Sequence, residues 1–297
     1  MNAKSLQSIL FTLIAFVMGA ITVGAASAED FMEIRRPQDV KSDVDLWATF
    51  LRDAYFKDVA LIEDKTVIDM KTPYRAEDAA YTPVTITAQF DQTPERYIQK
   101  LYLIVDNNPQ PLVGTFEFTP DTGKADIALR VRIDRYTNIR AIAALNDGEH
   151  HMVTNYVKAS GGCSDPFGGD IYEALKTAGR MKFRTVGDIL ADNTQVAQFS
   201  VSHPNFTGMS VNQRTGNIVP PHFINHVTLI YNGKVVMNAD TGISISQDPN
   251  FRFYFQPGQG GTLRADVRDS KGNEWTEEFT INESTASVTN KAPGDSG

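Results

Sequence analysis

The side chain with the most chemistry to offer is the single cysteine of this 297-residue chain, Cys163. It stands in Ala159-Ser160-Gly161-Gly162-Cys163-Ser164-Asp165-Pro166-Phe167-Gly168-Gly169, a run with neither helical nor strand periodicity. A structural cysteine usually lies within an apolar segment, whereas this one has glycines before it and Ser-Asp-Pro after it. Glycine has no Cβ, so the Gly161-Gly162 pair would let the thiol swing into a narrow pocket of another protein. The expectation is a solvent-reachable thiol on an arm. A thiol with an ordinary pKa of about 8.5 is mostly protonated at neutral pH, and the thiolate is the nucleophile. Lys158 would lower that value and Asp165 would oppose it, so activation is expected inside a partner's site. An inert loop cysteine and a catalytic nucleophile are the other readings of the same spacing. A cysteine hydrolase needs a histidine base and an orienting Asn or Asp, and the five histidines form no such signature.

The remaining candidates read as structural. His222 and His226 flank a predicted strand and share a face, but no third ligand is in view, so they are expected to be structural or partner-facing rather than a metal site. His150 and His151 point to opposite faces of a strand. Gly258-Gln259-Gly260-Gly261 lacks the Lys-Ser/Thr and the following helix of a phosphate loop, and reads as a hairpin turn. No catalytic residue, cofactor or metal ligand is expected in the chain.

The elements that must position Cys163 begin after residue 28. Lys4, the apolar run Ile9 to Ala20 and the small-residue stretch ending Ala26-Ser27-Ala28 predict a secretory signal peptide over residues 1–28. The run is short of the roughly 20 residues a membrane span needs, so a periplasmic product free of the membrane after cleavage is expected. In an oxidising compartment cysteines usually pair, which makes a lone thiol conspicuous. A net charge of −8 argues against a nucleic-acid partner, and 41% hydrophobic residues suffice for packed cores.

Leu46, Trp47, Phe50, Leu51 and Ala54 recur at helical spacing, with Asp43 as the candidate cap. Strand-like runs then cover 84–90, 98–105, 113–118, 125–133, 138–145 and 149–158, separated by turn chemistry such as Asn146-Asp147-Gly148. After the glycine-rich segment, Ile171, Ala174, Leu175, Ala178 and Met181 predict a helix within 170–183. A second strand series follows over 196–201, 223–231, 234–238, 251–255, 262–269 and 275–281, with Asn232-Gly233 the strongest hairpin signal. Residues 283–297 are rich in Ser, Thr, Asn, Gly and Pro and are expected to be a disordered tail.

The first series carries Asn107-Asn108-Pro109-Gln110-Pro111, Thr115-Phe116-Glu117-Phe118-Thr119-Pro120, Arg130-Val131-Arg132 and Lys158-Ala159-Ser160-Gly161-Gly162-Cys163, and in these it resembles SoxY, the thiol-bearing subunit of the periplasmic sulfur-oxidation carrier. The second resembles its partner SoxZ through His203-Pro204, Thr207-Gly208, Ile218-Val219-Pro220-Pro221-His222-Phe223-Ile224, Asn232-Gly233-Lys234 and Trp275. The resemblance implies a mainly β fold of two immunoglobulin-like sandwich domains joined by a Gly-rich arm and a linker with a short helix. The boundaries are 29–158 for the SoxY-like sandwich with its N-terminal helix, 159–194 for the arm and linker, and 195–282 for the SoxZ-like sandwich. It further implies that Cys163 is the site of covalent substrate attachment, with Gly161 and Gly162 as the arm hinge. Intramolecular pairing of the two domains and partnership with periplasmic redox or sulfur-oxidising enzymes follow. In two respects the chain departs from the family: the SoxY arm ends its chain as Gly-Gly-Cys-Gly-Gly, whereas here Ser164-Asp165-Pro166 follows Cys163 and the chain continues. That arrangement is similar to the fused SoxYZ-like carriers associated with quinoprotein dehydrogenases, so such a dehydrogenase is a candidate partner. The alternative is an assembly module for that dehydrogenase, in which the thiol is incidental.

Overall fold

The strands form where apolar and polar residues alternate, which places one set of side chains on each face. The computed structural model describes residues 32–36, 45–188, 194–281 and 288–290. The predicted signal peptide, most of the predicted tail and Asp43 lie outside these residues. The first half supplies β1 (Ile62–Glu63), β2 (Ile68–Lys71), β3 (Thr82–Ala88), β4 (Ile98–Val105), β5 (Leu112–Phe118), β6 (Ile127–Val131), β7 (Thr137–Leu145) and β8 (His150–Val157). The second half supplies β9 (Met181–Val186), β10 (Gln195–Val201), β11 (Ile224–Tyr231), β12 (Lys234–Thr241), β13 (Asn250–Phe255), β14 (Gly261–Asp269), β15 (Glu274–Ile281) and β16 (Val288–Asn290).

The protein is mainly β, as expected, and each half contributes to both of two sheets. A ten-stranded sheet runs β1-β8-β7-β4-β5-β12-β11-β14-β15-β16, and a six-stranded sheet runs β2-β3-β6-β13-β10-β9. The halves meet edge to edge: β5 pairs with β12 from Met237↔Phe118 to Thr241↔Gly114, and β6 pairs with β13 through Phe253↔Ile127. The two sandwiches are therefore continuous across their seam, where one edge of each sheet of the first half is covered by the second. One apolar core extends through both, from Val84, Leu101 and Phe116 to Phe199, Phe251 and Phe279. Phe116 and Phe251 meet edge-on across the seam with centroids 6.1 Å apart.

The central strands of the larger sheet are buried on their outer face as well. There Ile104, Leu112, Ile142 and Met152 pack against Leu46, Trp47, Leu51 and Phe56 of the N-terminal helix. That helix is a π-helical turn, Trp47–Leu51, running into Arg52–Phe56, and Asp45 accepts the Ala48 amide at 3.2 Å.

Three local expectations are corrected. The predicted helix over 170–183 is only Ile171–Leu175, because Met181 and Phe183 point into the core while Lys182 and Arg184 point out, a strand alternation that makes β9. The glycines at 258–261 do not close a hairpin; they turn the chain from β13 in the smaller sheet to β14 in the larger. Val288–Asn290, in the predicted disordered tail, pair with Phe279–Ile281. The Asn232-Gly233 hairpin forms as predicted: both residues have positive φ, 49° and 81°, and Tyr231 pairs with Lys234.

Candidate functional site

The Gly-rich segment leaves β8 and enters the seam between the halves. Gly161 donates its amide to the Asp134 carbonyl at 2.9 Å, and Gly162 to the Ile133 carbonyl at 2.9 Å. From the second half, the Thr207 hydroxyl donates to the Cys163 carbonyl at 2.6 Å. Beyond the cysteine, the Phe167 amide donates to the Val211 carbonyl at 3.0 Å, and the Phe167 ring stands 4.9 Å from that of Phe206. The segment is thus held at Gly161, Gly162, Cys163 and Phe167 by elements of both halves.

Cys163 is a free thiol with no exposed surface. The solvent-reachable thiol read from the sequence is therefore wrong for this conformation. Its neighbours in sequence cannot bury it; it is buried where hydrogen bonds with Ile133, Asp134 and Thr207, remote along the chain, hold the arm. Burial, and then the negative charge of Asp134, push the thiol up to about 12, and Arg132 only partly opposes them. The charges that matter are not those expected from the sequence. Lys158 lies over the Tyr74 ring at 4.9 Å, and the charges acting on the thiol are those of Asp134 and Arg132.

Arg132 stands in the sequence only as part of the Arg130-Val131-Arg132 motif, and its role at the arm is not read there. Its guanidinium is buried, donates to the Gly162 carbonyl at 3.4 Å and the Asn205 carbonyl at 3.3 Å, and leaves Nε without a partner. It thereby bridges the arm to the second half. Alternation would put it on the same side as Arg130, two residues earlier, and only the structure shows Arg132 buried where Arg130 is exposed.

The polar groups beneath the arm are paired across the seam. Asn108 donates to the Arg132 carbonyl at 2.8 Å and the Ser244 hydroxyl at 2.9 Å, and the Ser246 hydroxyl donates to the Ala80 carbonyl at 2.6 Å. The two proposed hinge glycines serve different needs. Gly161 has φ of +85° in open space, whereas a Cβ on Gly162 would overlap the Ala79 carbonyl.

Of the histidines, His226 pairs with Asp240 at 2.7 Å and His222 with Asp269 at 2.6 Å. The two are paired with carboxylates on different strands, β14 and β12, so they do not share a site. His150 and His151 diverge as expected, His150 to the Gly148 carbonyl and His151 to Asp64 at 3.0 Å.

The thiol has a pH signature. A group whose proton is held up to about 12 in the docked arm, but ionises near about 8.5 when free, stabilises docking fully below about pH 8.5. That contribution is lost as pH rises toward 12, at up to about 1.4 kcal/mol per pH unit. Urea unfolding of the wild type and of Cys163→Ala between pH 9 and 11 checks this. The wild type is expected to lose stability relative to the variant as pH rises; parallel curves would mean that the thiol is not buried in solution.

Residues 52–163 match the family model described as sulfur oxidation protein SoxY, and residues 184–280 match the one described as sulphur oxidation protein SoxZ. Among solved structures, the sulfur carrier protein SoxY from Chlorobium limicola f thiosulfatophilum is 22% identical over 36% of this chain and 87% of that chain, with a TM-score of 0.31. The superoxide reductase (neelaredoxin) from Ignicoccus hospitalis is 14% identical over 31% of this chain and 79% of that one, with a TM-score of 0.28. A putative superoxide reductase from Thermotoga maritima is 16% identical over 34% and 92%, with a TM-score of 0.29. No curated protein matches the chain.

Proposed function

Because this chain belongs to the sulfur-oxidation families SoxY and SoxZ, joined in that order in one polypeptide, we propose that it is a non-catalytic carrier that holds a sulfur intermediate covalently on Cys163. The observation that carries this reading is positional: the SoxY match ends on Cys163, the only cysteine, at a seam where both halves grip the arm through backbone carbonyls and amides. Such contacts hold the arm by its backbone rather than by the Cys163 side chain.

The docked conformation is the resting one. A protonated, buried thiol reacts slowly, so loading requires the arm to leave the seam and meet its partner's active site. Joining a second sulfur to the cysteine sulfur by an S–S bond releases two electrons and two protons. One cysteine cannot be both attachment point and electron acceptor, so a partner enzyme takes the electrons. We place this exchange in the periplasm, with sulfur-oxidising or quinoprotein enzymes as the partners.

The test is intact mass spectrometry of the mature protein from its native host, non-reduced and then reduced. A reductant-sensitive adduct confined to the Cys163 peptide, and lost in Cys163→Ser, is the expected result. The burial of the thiol specifically favours the second reading, an assembly module whose thiol is incidental. Under that reading, Cys163→Ser leaves pathway activity intact and no adduct is found during growth on reduced sulfur.

A further inference from the structure

Outside the arm, among the described residues, one cluster of ligand-type side chains is not explained by the carrier reading. We infer that His203, His222 and Asp269 form a binding site for a divalent transition-metal cation of the zinc type, beneath the loop that grips the arm. This inference is independent of whether Cys163 carries cargo.

Three observations carry it. The donor atoms come together: His222 Nε2 lies 2.6 Å and His203 Nε2 3.7 Å from Asp269 Oδ2, and all three atoms lie within 4.8 Å of one another. A tetrahedral cation bound at about 2.0–2.2 Å holds its ligands roughly 3.3 Å apart, so an ion entering here would part His222 from Asp269 by under an ångström and draw His203 inward. Two imidazoles and a carboxylate suit zinc, cobalt or nickel rather than magnesium or calcium.

The second observation is an orphan. His203 and Asp269 side chains are fully buried, and His203 Nε2 has no hydrogen-bond partner. A buried ring nitrogen aimed at a carboxylate it does not reach is costly unless something fills the gap. His222 retains 14% of its side-chain exposure, which gives the cluster one face toward solvent, the side from which a fourth ligand would come.

The third is the outer shell. His203 Nδ1 lies 2.9 Å from Asn205 Oδ1, and that oxygen is itself fixed by the Ile224 amide at 3.0 Å. A proton on Nδ1 donated to Asn205 leaves Nε2 a lone pair facing Asp269, the usual support for a metal-bound histidine. The Asn205 amide, 3.0 Å from Nδ1, donates to it in the other tautomer, and cation binding would select the first. Asp269 is oriented by the Lys271 and Asn273 amides at 2.8 and 2.9 Å and by Asn273 Nδ2 at 2.8 Å. By contrast, both nitrogens of His226 and of His151 are already engaged.

The cluster ties His203 to β14, and four residues after His203 comes Thr207, whose hydroxyl grips the Cys163 carbonyl. A bound cation would therefore also steady the arm.

The test uses the full chain, freed of metal with chelator and titrated with Zn²⁺ by calorimetry and with Co²⁺ by visible absorption. Saturable one-to-one binding is expected, with a four-coordinate cobalt spectrum. His203→Gln and His222→Gln, which keep a polar group of similar size, should each weaken binding at least about tenfold, while His226→Gln leaves it unchanged. Near-UV circular dichroism confirms that the variants are folded. Absence of saturable binding, binding indifferent to both substitutions in folded protein, or a cobalt–thiolate charge-transfer band placing the ion on Cys163 would each overturn the inference.

Discussion

Replacing Gly162 with alanine is expected to raise the rate of Cys163 alkylation near neutral pH by about fivefold to 150-fold, the range given by an overpacking cost of about 1–3 kcal/mol. The added Cβ would overlap the carbonyl carbon and oxygen of Ala79 and come 2.9 Å from the Ala80 nitrogen. These are backbone atoms and they are pinned, since the Ala79 carbonyl accepts from the Ile133 amide at 2.8 Å and the Ala80 carbonyl from Ser246 at 2.6 Å. The arm is held by a few hydrogen bonds, each worth about 1 kcal/mol net, so it is the weaker party and leaves. Gly161→Ala is the contrasting variant. It meets no neighbour and is strained only by its φ of +85°, so its effect should be several-fold smaller. Labelling rates with iodoacetamide, alongside melting temperatures, distinguish the two. If Gly162→Ala labels at the wild-type rate with an unchanged melting point, the arm is not docked in solution.

That contrast bears on what the sequence can reveal about a site. Composition and spacing suggested that both glycines supply freedom, and the structure assigns Gly162 the opposite task, close approach to a fixed backbone. Local sequence reports conformational preference; it does not report which remote segment arrives. The strands of the first half were legible because burial alternates along them, as in β3 and β6. β9 was hidden because Ile171, Ala174, Leu175, Ala178 and Met181 also fit a helix, and only the sheet edge offered by β10 settles the last of them as strand. The family resemblance and the importance of the segment around Cys163 were legible from motifs. The burial of the thiol was not, since it depends on Arg132, Thr207 and Asp134 meeting across a seam that no periodicity encodes. Asn108 and His203 were noticed as motif residues, and their roles became apparent only when partners distant in sequence were in place.

The continuity of the two sheets carries the other large expected effect. Phe251 on β13 is fully buried and meets Phe116 of β5 edge-on, so its ring belongs to the packing of both halves at once. Phe251→Ala should cost about 3–5 kcal/mol through lost transfer energy and the cavity left behind. The location of the loss is the sharper point. Two sandwiches tied only by a linker would unfold separately, and the variant would lower the transition of the second alone. Here β5 pairs with β12, β6 pairs with β13, and one core runs through both, so unfolding either half exposes the sheet edges and the apolar face of the other. The chain has two tryptophans, Trp47 in the first half and Trp275 in the second, so Trp47→Phe and Trp275→Phe proteins report on the halves one at a time. The expected result is a single urea midpoint by either probe, moved by the same amount when Phe251→Ala is added. Midpoints that separate, or a shift seen by Trp275 and not by Trp47, would show that the seam does not couple the halves and that the arm docks against a joint free to open.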